Sequence, residues 1–312
     1  MLVTLESRAF CGRVFYSAFR NVLMPVDSAS MSPIPVAVLA TQLVDCLRKL
    51  QTVAVAFSGG VDSAVVAKAA LLALNDQAVA VTAVSPSLAN SDLQVARTEA
   101  ALIGIRHVEI STNEFSRPEY RANAGNRCFF CKDTLYSLAE SQLQQLGVSC
   151  IVNGANTDDL GDHRPGMQAA SEHNVRSPLI EVGINKQQVR ELARFWNLSV
   201  AEKPASPCLS SRIAYGVEVT EERVRRVEFA EAFLKQLLGL QELRVRLEAG
   251  DLGRIELPIV ALPQLVKPAI CQQVTEEFLR LGFRRTTVDL AGFRSGSLND
   301  SLPLVTLGLT AK

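Results

Sequence analysis

Between residues 52 and 155 the chain repeats one arrangement: a short apolar, β-rich run, a turn, then apolar residues at helical spacing. "TVAVAF" (52–57) passes through "SGG" into "VDSAVVAKAALLAL", and "AVAVTAVS" (78–85) passes into "DLQVARTEAALI". "IRHVEIST" (105–112) is followed by "KDTLYSLAESQLQQLG" (132–147), and "VSCIVNGA" (148–155) is the fourth run. Strands separated by helices pair in parallel, and strands that read as continuous apolar runs are covered on both faces. The expected fold is therefore α/β, a doubly wound parallel sheet. Ser91 and Gln94 have capping-box spacing at the second helix, with Gly104 as its stop. Asn185 and Gln188 have the same spacing ahead of "KQQVRELARFWNL".

"AEKPASPCLSSRIAYG" (201–216) breaks the periodicity with Pro204 and Pro207, so it reads as a loop or hinge at a domain boundary. Beyond it stand a helix from Thr220 to about Leu238, strands "ELRVRLE" and "GRIELP", a helix over 262–281 and a strand in "RRTTVDLAG". These make a smaller C-terminal α+β domain. The expected division is 1–35, 36–205 and 206–312. The first segment carries Arg8, Arg13 and Arg20 without the apolar core of a secretory signal. It reads as a loosely ordered leader ahead of a real start at Met24 or Met31, with a weak transit peptide as the alternative.

Composition narrows the partners. Lys plus Arg is 32 and Asp plus Glu is 32, a net charge of +0. That balance argues against a polyanion-gripping protein and for a small substrate. Seven cysteines, odd in number and irregularly spaced, indicate reduced thiols and a cytoplasmic setting. No apolar run is long enough to span a bilayer.

"FSGGVDSA" (57–64) falls after the first strand, where open parallel sheets bind ligands. Gly59 and Gly60 let several backbone N–H groups converge on one anion, Ser58 and Ser63 add hydroxyls, and the helix N-terminus adds its dipole. Asp62 would repel a bare phosphate, so Mg²⁺ or a structural hydrogen bond should accompany it. The bland alternative is a tight turn with Asp62 as a cap. Asn153, Asn156, Asp158 and Asp159 follow the fourth strand at the same sheet edge; they read as nucleotide and Mg²⁺ contacts or as an Asx-rich turn.

Cys128 and Cys131 form a C-x-x-C half-site with no second pair to complete it. Zinc and iron–sulfur clusters both use such thiols. Cys208 stands in the Pro-rich loop, with Ser210, Ser211 and Arg212 just after it; these donors suit an anionic substrate or merely close the turn. Arg244 and Arg246 lie two apart on one strand and so share a face, suited to a nucleotide phosphate. Arg254 and Glu256 on the next strand make cross-strand Arg–Glu pairing a rival explanation. Arg164 and His163 lie near the site, while His107 and His173 read as surface or packing residues. Cys11, Cys46, Cys150 and Cys271 read as incidental.

The Ser58-Gly59-Gly60-Val61-Asp62-Ser63 string resembles the PP-loop of the ATP pyrophosphatase superfamily. Six further blocks narrow the resemblance: "NGANTDDLGDHRPGMQAA" (153–170), "SPLIEVGINKQQVRELA" (177–193), "CLSSRIAYG" (208–216), "RVRLE" (244–248), "RIELP" (254–258) and "DLAGFRSGSLN" (289–299). Together, from about residue 40 to 300, they resemble the ATP-dependent sacrificial sulfur transferase family, LarE. The resemblance implies a PP-loop ATP-binding domain and cleavage of ATP to AMP and pyrophosphate. It implies adenylation of a carboxylate on a pyridinium mononucleotide and its conversion to a thiocarboxylate, in making the nickel-pincer nucleotide of lactate racemase. The nucleotide would lie on Ser58, Gly59, Gly60, Asp62, Ser63, Asn156, Asp158 and Asp159. The substrate would lie on Ser211, Arg212, Arg244 and Arg246, with Cys208, Arg212 and Asp62 as catalytic residues. Members with one cysteine at the Cys208 position surrender its sulfur, whereas members with a C-x-x-C as well hold a 4Fe-4S cluster. Cys128, Cys131 and Cys208 place this sequence with the second type. Glu231 matches a family acid near an inter-subunit site, and the family forms homo-oligomers. The rival activities are a tRNA thiolase, an amide-forming synthetase lacking a glutaminase segment, and a non-enzymatic adenine-nucleotide sensor clipped by zinc.

Overall fold

The computed structural model describes residues 34–161 and 165–294; the leader, His163, Arg164 and the end of the last family block lie outside them. Pro35 onward belongs to one compact unit. Its first half is a four-stranded parallel sheet: β1 (Val53–Ala56), β2 (Ala78–Val84), β3 (Arg106–Ser111) and β4 (Cys150–Val152), in the order β3-β2-β1-β4. The register pairs Val53 with Ala78 on one side and with Cys150 on the other.

Alternate residues of each strand feed two separate cores, as the period of two requires. Val53, Val55, Ala78 and Ala80 pack with α1 (Val36–Arg48), α2 (Val61–Leu74) and α3 (Asn90–Ile103). Ala54, Val79, Val81 and Ile110 pack on the other face. α4 (Pro118–Ala122) precedes α5 (Arg127–Leu146) and α6 (Pro165–Glu172), and the latter two cover that face through Leu135, Tyr136, Ala139, Ala169 and Ala170. α2 is apolar nearly all round because the sheet and neighbouring helices enclose it, the pattern of a central helix. α7 (Pro178–Glu181) and α8 (Lys186–Phe195) complete the first core with Leu179, Val189 and Leu192. The doubly wound parallel sheet is thus present.

The remainder holds α9 (Glu221–Leu238), the strands β5 (Arg244–Glu248) and β6 (Leu252–Glu256), α10 (Leu262–Leu265), α11 (Pro268–Leu281) and β7 (Arg285–Val288). β5 and β6 are antiparallel, and β6 and β7 are parallel. Leu243, Val245 and Leu247 join residues of α9 and α11 in a third core, which also takes in Phe115 and Tyr120 from the segment ahead of α5.

Three local expectations are corrected. Ser91 does not cap α3: the N-cap is Ala89 and its side chain makes no cap bond, because the helix begins two residues earlier than expected, at Asn90. The helix expected at 132 begins at Arg127, so Cys128 and Cys131 lie within its first five residues and share a face. The helix expected over 262–281 is two, parted at Pro268, whose ring has no N–H to continue a ladder. The capping box at Asn185 and Gln188 forms with both reciprocal bonds. Among the described residues no helix is long and apolar enough to cross a membrane.

Candidate functional site: a phosphate loop and three thiols at one sheet edge

Strand order reverses at β1, since β2 and β3 extend to one side and β4 lies on the other. The loops leaving β1 and β4 therefore diverge and open a crevice, the place where α/β sheets receive ligands. The first of them is the Ser58–Gly60 loop. Gly59 has φ 67°, and a Cβ there would stand 2.7 Å from the Ala96 Cα of α3. Only glycine supplies both the left-handed angle and that approach. Ser63 Oγ donates to Gly60 O at 3.0 Å and accepts from Ser58 N at 3.2 Å, so the serines tie the loop to the first turn of α2. Across the crevice, Gly154 of the β4 loop presses on that turn; a Cβ there would meet Ser63 N at 2.8 Å.

The β4 loop is held by its own side chains. Asn153 Oδ1 accepts from Ala155 N at 3.0 Å, Asn156 Oδ1 from Asp158 N at 3.1 Å, and Asp159 Oδ2 from Asn156 N at 3.0 Å. These bonds turn Asn156 back toward the phosphate loop, where its Nδ2 donates to Asp62 Oδ1 at 3.1 Å. The other Asp62 oxygen pairs with Lys186 Nζ at 2.5 Å, and the Lys186 backbone N–H donates to Asp158 at 3.2 Å. Asp62, Asn156, Asp158 and Lys186 thus form one polar group at the helix N-terminus. Sequence reasoning left Lys186 out. It had a signal: a lysine at the first position of a well-capped helix opposes the helix dipole.

The thiols occupy the same edge of the sheet, beyond β2. Leu209 N, next to Cys208, donates to Ser87 O at 2.8 Å, just past the carboxyl end of β2. Cys128 and Cys208 are exposed and Cys131 is half-buried, yet protein surrounds them closely enough to matter electrostatically. Burial is the largest cause that raises the Cys128 thiol, followed by the charge of Cys208. Burial likewise pushes Cys131 up to about 12, with Cys208 and Cys128 adding to the rise. Cys208 acts on both of the other thiols, so the three sulfurs lie within electrostatic reach of one another. Arg127 lies beside them: burial opposes its charge, but Cys208 and Cys128 favour it and the balance is upward. Among the described residues no group of three or more His, Cys, Asp or Glu side chains is arranged around a single ion.

The strap bearing Cys208 is pinned from two sides. Tyr120 OH and Ser210 Oγ are 2.8 Å apart, and Asn123 Nδ2 donates to the carbonyls of Ile213, Ala214 and Val217. Arg127 Nη1 donates to Asn123 Oδ1 at 2.5 Å, linking the strap to the helix of the C-x-x-C. From below, Arg212 is 4% exposed. Its Nε bonds Glu231 at 3.0 Å, and its Nη1 donates to Pro207 O and to Cys208 O at 2.8 Å. The guanidinium faces the backbone of the cysteine-bearing turn. Ser211 Oγ also bonds Cys208 O, at 2.6 Å.

Arg244 and Arg246 share a face of β5 and are both buried. Arg246 donates from Nε to Glu256 at 3.1 Å and from Nη1 to Ser211 O at 3.0 Å, so the cross-strand pairing foreseen as a rival is present for this residue. Arg244 differs. Its guanidinium donates to Leu243 O at 2.8 Å and lies over the Phe293 ring at 5.1 Å. Burial, then the neighbouring charge of Arg212, lowers its pKa, the mark of a cation placed among cations.

Known proteins place the chain. The asparagine synthase family profile matches residues 37–120, the stretch holding the phosphate loop. An uncharacterised Synechocystis protein is 45% identical over 251 residues, 80% of this chain and 93% of that one. The pyridinium-3,5-bisthiocarboxylic acid mononucleotide synthase of Lactiplantibacillus plantarum is 36% identical over 270 residues, 85% of this chain and 96% of that one. An uncharacterised protein of Methanocaldococcus jannaschii is 24% identical over 247 residues, 79% of this chain and 92% of that one. With that identity running the length of both chains, beneath a phosphate loop on a parallel sheet, this protein belongs to the LarE family of PP-loop proteins, the family of the Lactiplantibacillus synthase.

Proposed function

We propose that the protein is an ATP-dependent sulfur transferase whose substrate is a pyridinium mononucleotide bearing carboxylates. A substrate carboxylate oxygen attacks the α-phosphorus of ATP, the bond from that phosphorus to its bridging oxygen breaks, and pyrophosphate leaves. The Gly59 and Gly60 amides, the Ser58 and Ser63 hydroxyls and the N-terminus of α2 hold the departing pyrophosphate. Asp62 and Asp158 supply hard oxygen donors for Mg²⁺, and Lys186, already between them, supplies a second cation for the phosphates. A sulfur nucleophile at the hydrosulfide level then attacks the acyl carbon. The bond to AMP breaks, and AMP departs with the electron pair.

Cys128, Cys131 and Cys208 would hold a 4Fe-4S cluster, three thiolates for three irons. When bound, it supplies one iron without a protein ligand, on which sulfide can ride. Burial raises the Cys128 and Cys131 thiols beside Arg127, which suits that group, since cationic irons relieve the cost of gathering thiolates. Arg212 holds the turn that carries Cys208, and Arg244 is the cation least engaged by carboxylates for the substrate phosphate. Residues 36–205 would carry the nucleotide and 206–312 the substrate, within a cytoplasmic homo-oligomer that binds neither nucleic acid nor membrane.

The observation that carries this reading is the Leu209–Ser87 bond, which sets Cys208 beyond the strand next to the phosphate loop. Anaerobic protein given Mg²⁺, ATP and the dicarboxylated pyridinium mononucleotide should release pyrophosphate and form thiocarboxylate. The same preparation should contain iron and labile sulfide that Cys128→Ser, Cys131→Ser and Cys208→Ser each remove. Pyrophosphate released with tRNA instead, or ATP bound without cleavage, would replace this function with a thiolase or a sensor.

A further inference from the structure

One buried acid beside the Cys208 strap, Glu114, belongs to no part of the reaction described so far. Glu114 opens the turn after β3 and is 1% exposed. Its Oε1 accepts from Ser85 Oγ at 2.6 Å and from Ser87 Oγ at 2.8 Å, and its Oε2 accepts from Thr112 Oγ1 at 2.9 Å. Among the described residues no lysine or arginine pairs with it. A carboxylate is the side chain that only accepts and can take several hydroxyl donors at once, which explains an acid at this place.

These hydroxyls decide where the Ser85–Ser87 turn sits. Ser85 and Ser87 Oγ are themselves 2.7 Å apart, and Ser87 N donates to Ser85 Oγ at 3.3 Å. The turn also reaches outward, where Ser87 O accepts from Leu209 N, the residue after Cys208. Tyr120 OH lies 2.8 Å from Ser210 Oγ on the same strap. Glu114 thus sits beneath the Leu209–Ser87 attachment of the strap. Its charge is felt at Cys131.

We propose that Glu114 is a positioning residue for the sulfur half of the reaction. By fixing Ser87 it fixes the Cys208 strap against the sheet, and so sets how Cys208 meets Cys128 and Cys131, without touching nucleotide or substrate. This rests on the function proposed above, but the geometry of the strap does not.

The test separates the two half-reactions. In Glu114→Gln, whose amide brings hydrogens where an acceptor is needed, substrate-dependent pyrophosphate release should stay within about twofold of the unaltered protein, while thiocarboxylate falls about tenfold or more. Ser87→Ala should show the same split, and it decides the question if Glu114→Gln fails to fold. Amide exchange over residues 207–213, followed in metal-free protein, should quicken at Leu209 in both variants, and exposed Cys271 should alkylate at an unchanged rate. Pyrophosphate and thiocarboxylate falling in parallel would make Glu114 a packing residue and overturn the proposal, as would unchanged exchange at Leu209. If the unaltered protein releases no pyrophosphate, the proposed function fails, and the exchange at Leu209 alone decides the positioning role.

Discussion

Lys186 violates a local rule where the site needs a cation. A lysine in the first turn of a helix faces the positive end of its dipole, and Asn185 caps the same turn. Its ammonium is stabilised by Asp62 instead, 124 positions earlier in the chain. Local costs left standing mark functional positions more often than framework ones. Lys186→Ala should leave the fold intact and lower pyrophosphate release on the order of 10²-fold, the scale of one lost charge-stabilising donor. Lys186→Arg should recover part of it. Steady-state pyrophosphate assays check both.

At the scale of elements, α5 and α6 are clasped by His173, whose Nε2 lies 2.9 Å from Asp133 and Nδ1 3.0 Å from Glu140. Burial opposes its charge, but the two carboxylates more than offset that and hold its pKa above the usual imidazole range. A folded pKa above the unfolded ~6.5 means the clasp is fully present below that pH and fades as pH rises through the folded value. Asp133 is held low by Arg117 and then His173, so the clasp also weakens in acid as that carboxyl protonates. His173→Gln should therefore lose more stability near pH 6 than near pH 8.5, by up to about 1 kcal/mol for a partly exposed pair. Melting temperatures of both proteins at the two pH values measure it. His107, whose pKa burial lowers, works in the opposite direction but is common to both proteins. The β5–β6 hairpin is tighter. Glu256 is 0% exposed and pairs with Arg246 at 3.0 Å and Arg254 at 2.8 Å. Glu256→Ala takes from buried Arg246 its carboxylate partner, while Arg254 keeps Glu248 and Asp289, and denaturant unfolding should show a loss of about 3–5 kcal/mol.

For the whole molecule, the switch in strand order opens a crevice at the phosphate loop on β1, and the Cys208 strap docks past the neighbouring β2. A ligand that fills it should stabilise the folded chain: Mg·ATP at about 100 times its Kd adds about 2.7 kcal/mol. Gly59→Ala should abolish that gain by driving a Cβ into α3, a loss that thermal shifts with and without nucleotide detect. Much of this architecture was legible in the chain. The strand–helix alternation predicted the parallel sheet, the Ser-Gly-Gly string its phosphate loop, and the Asn185–Gln188 spacing a cap that forms as expected. These are local properties, set by backbone angles and side-chain period within a few residues. Ser91 misled because capping competes with where the helix packs, and the packed helix begins at Asn90. What the sequence by itself determined was which elements form and which anion-binding turn joins them. Only the tertiary structure decided the partners: Lys186 on Asp62, Arg212 on the backbone of Cys208, and Glu114 beneath Ser87. The reason is physical, since charges and hydroxyls act over a few ångströms of space whatever their separation along the chain, and folding alone sets those distances.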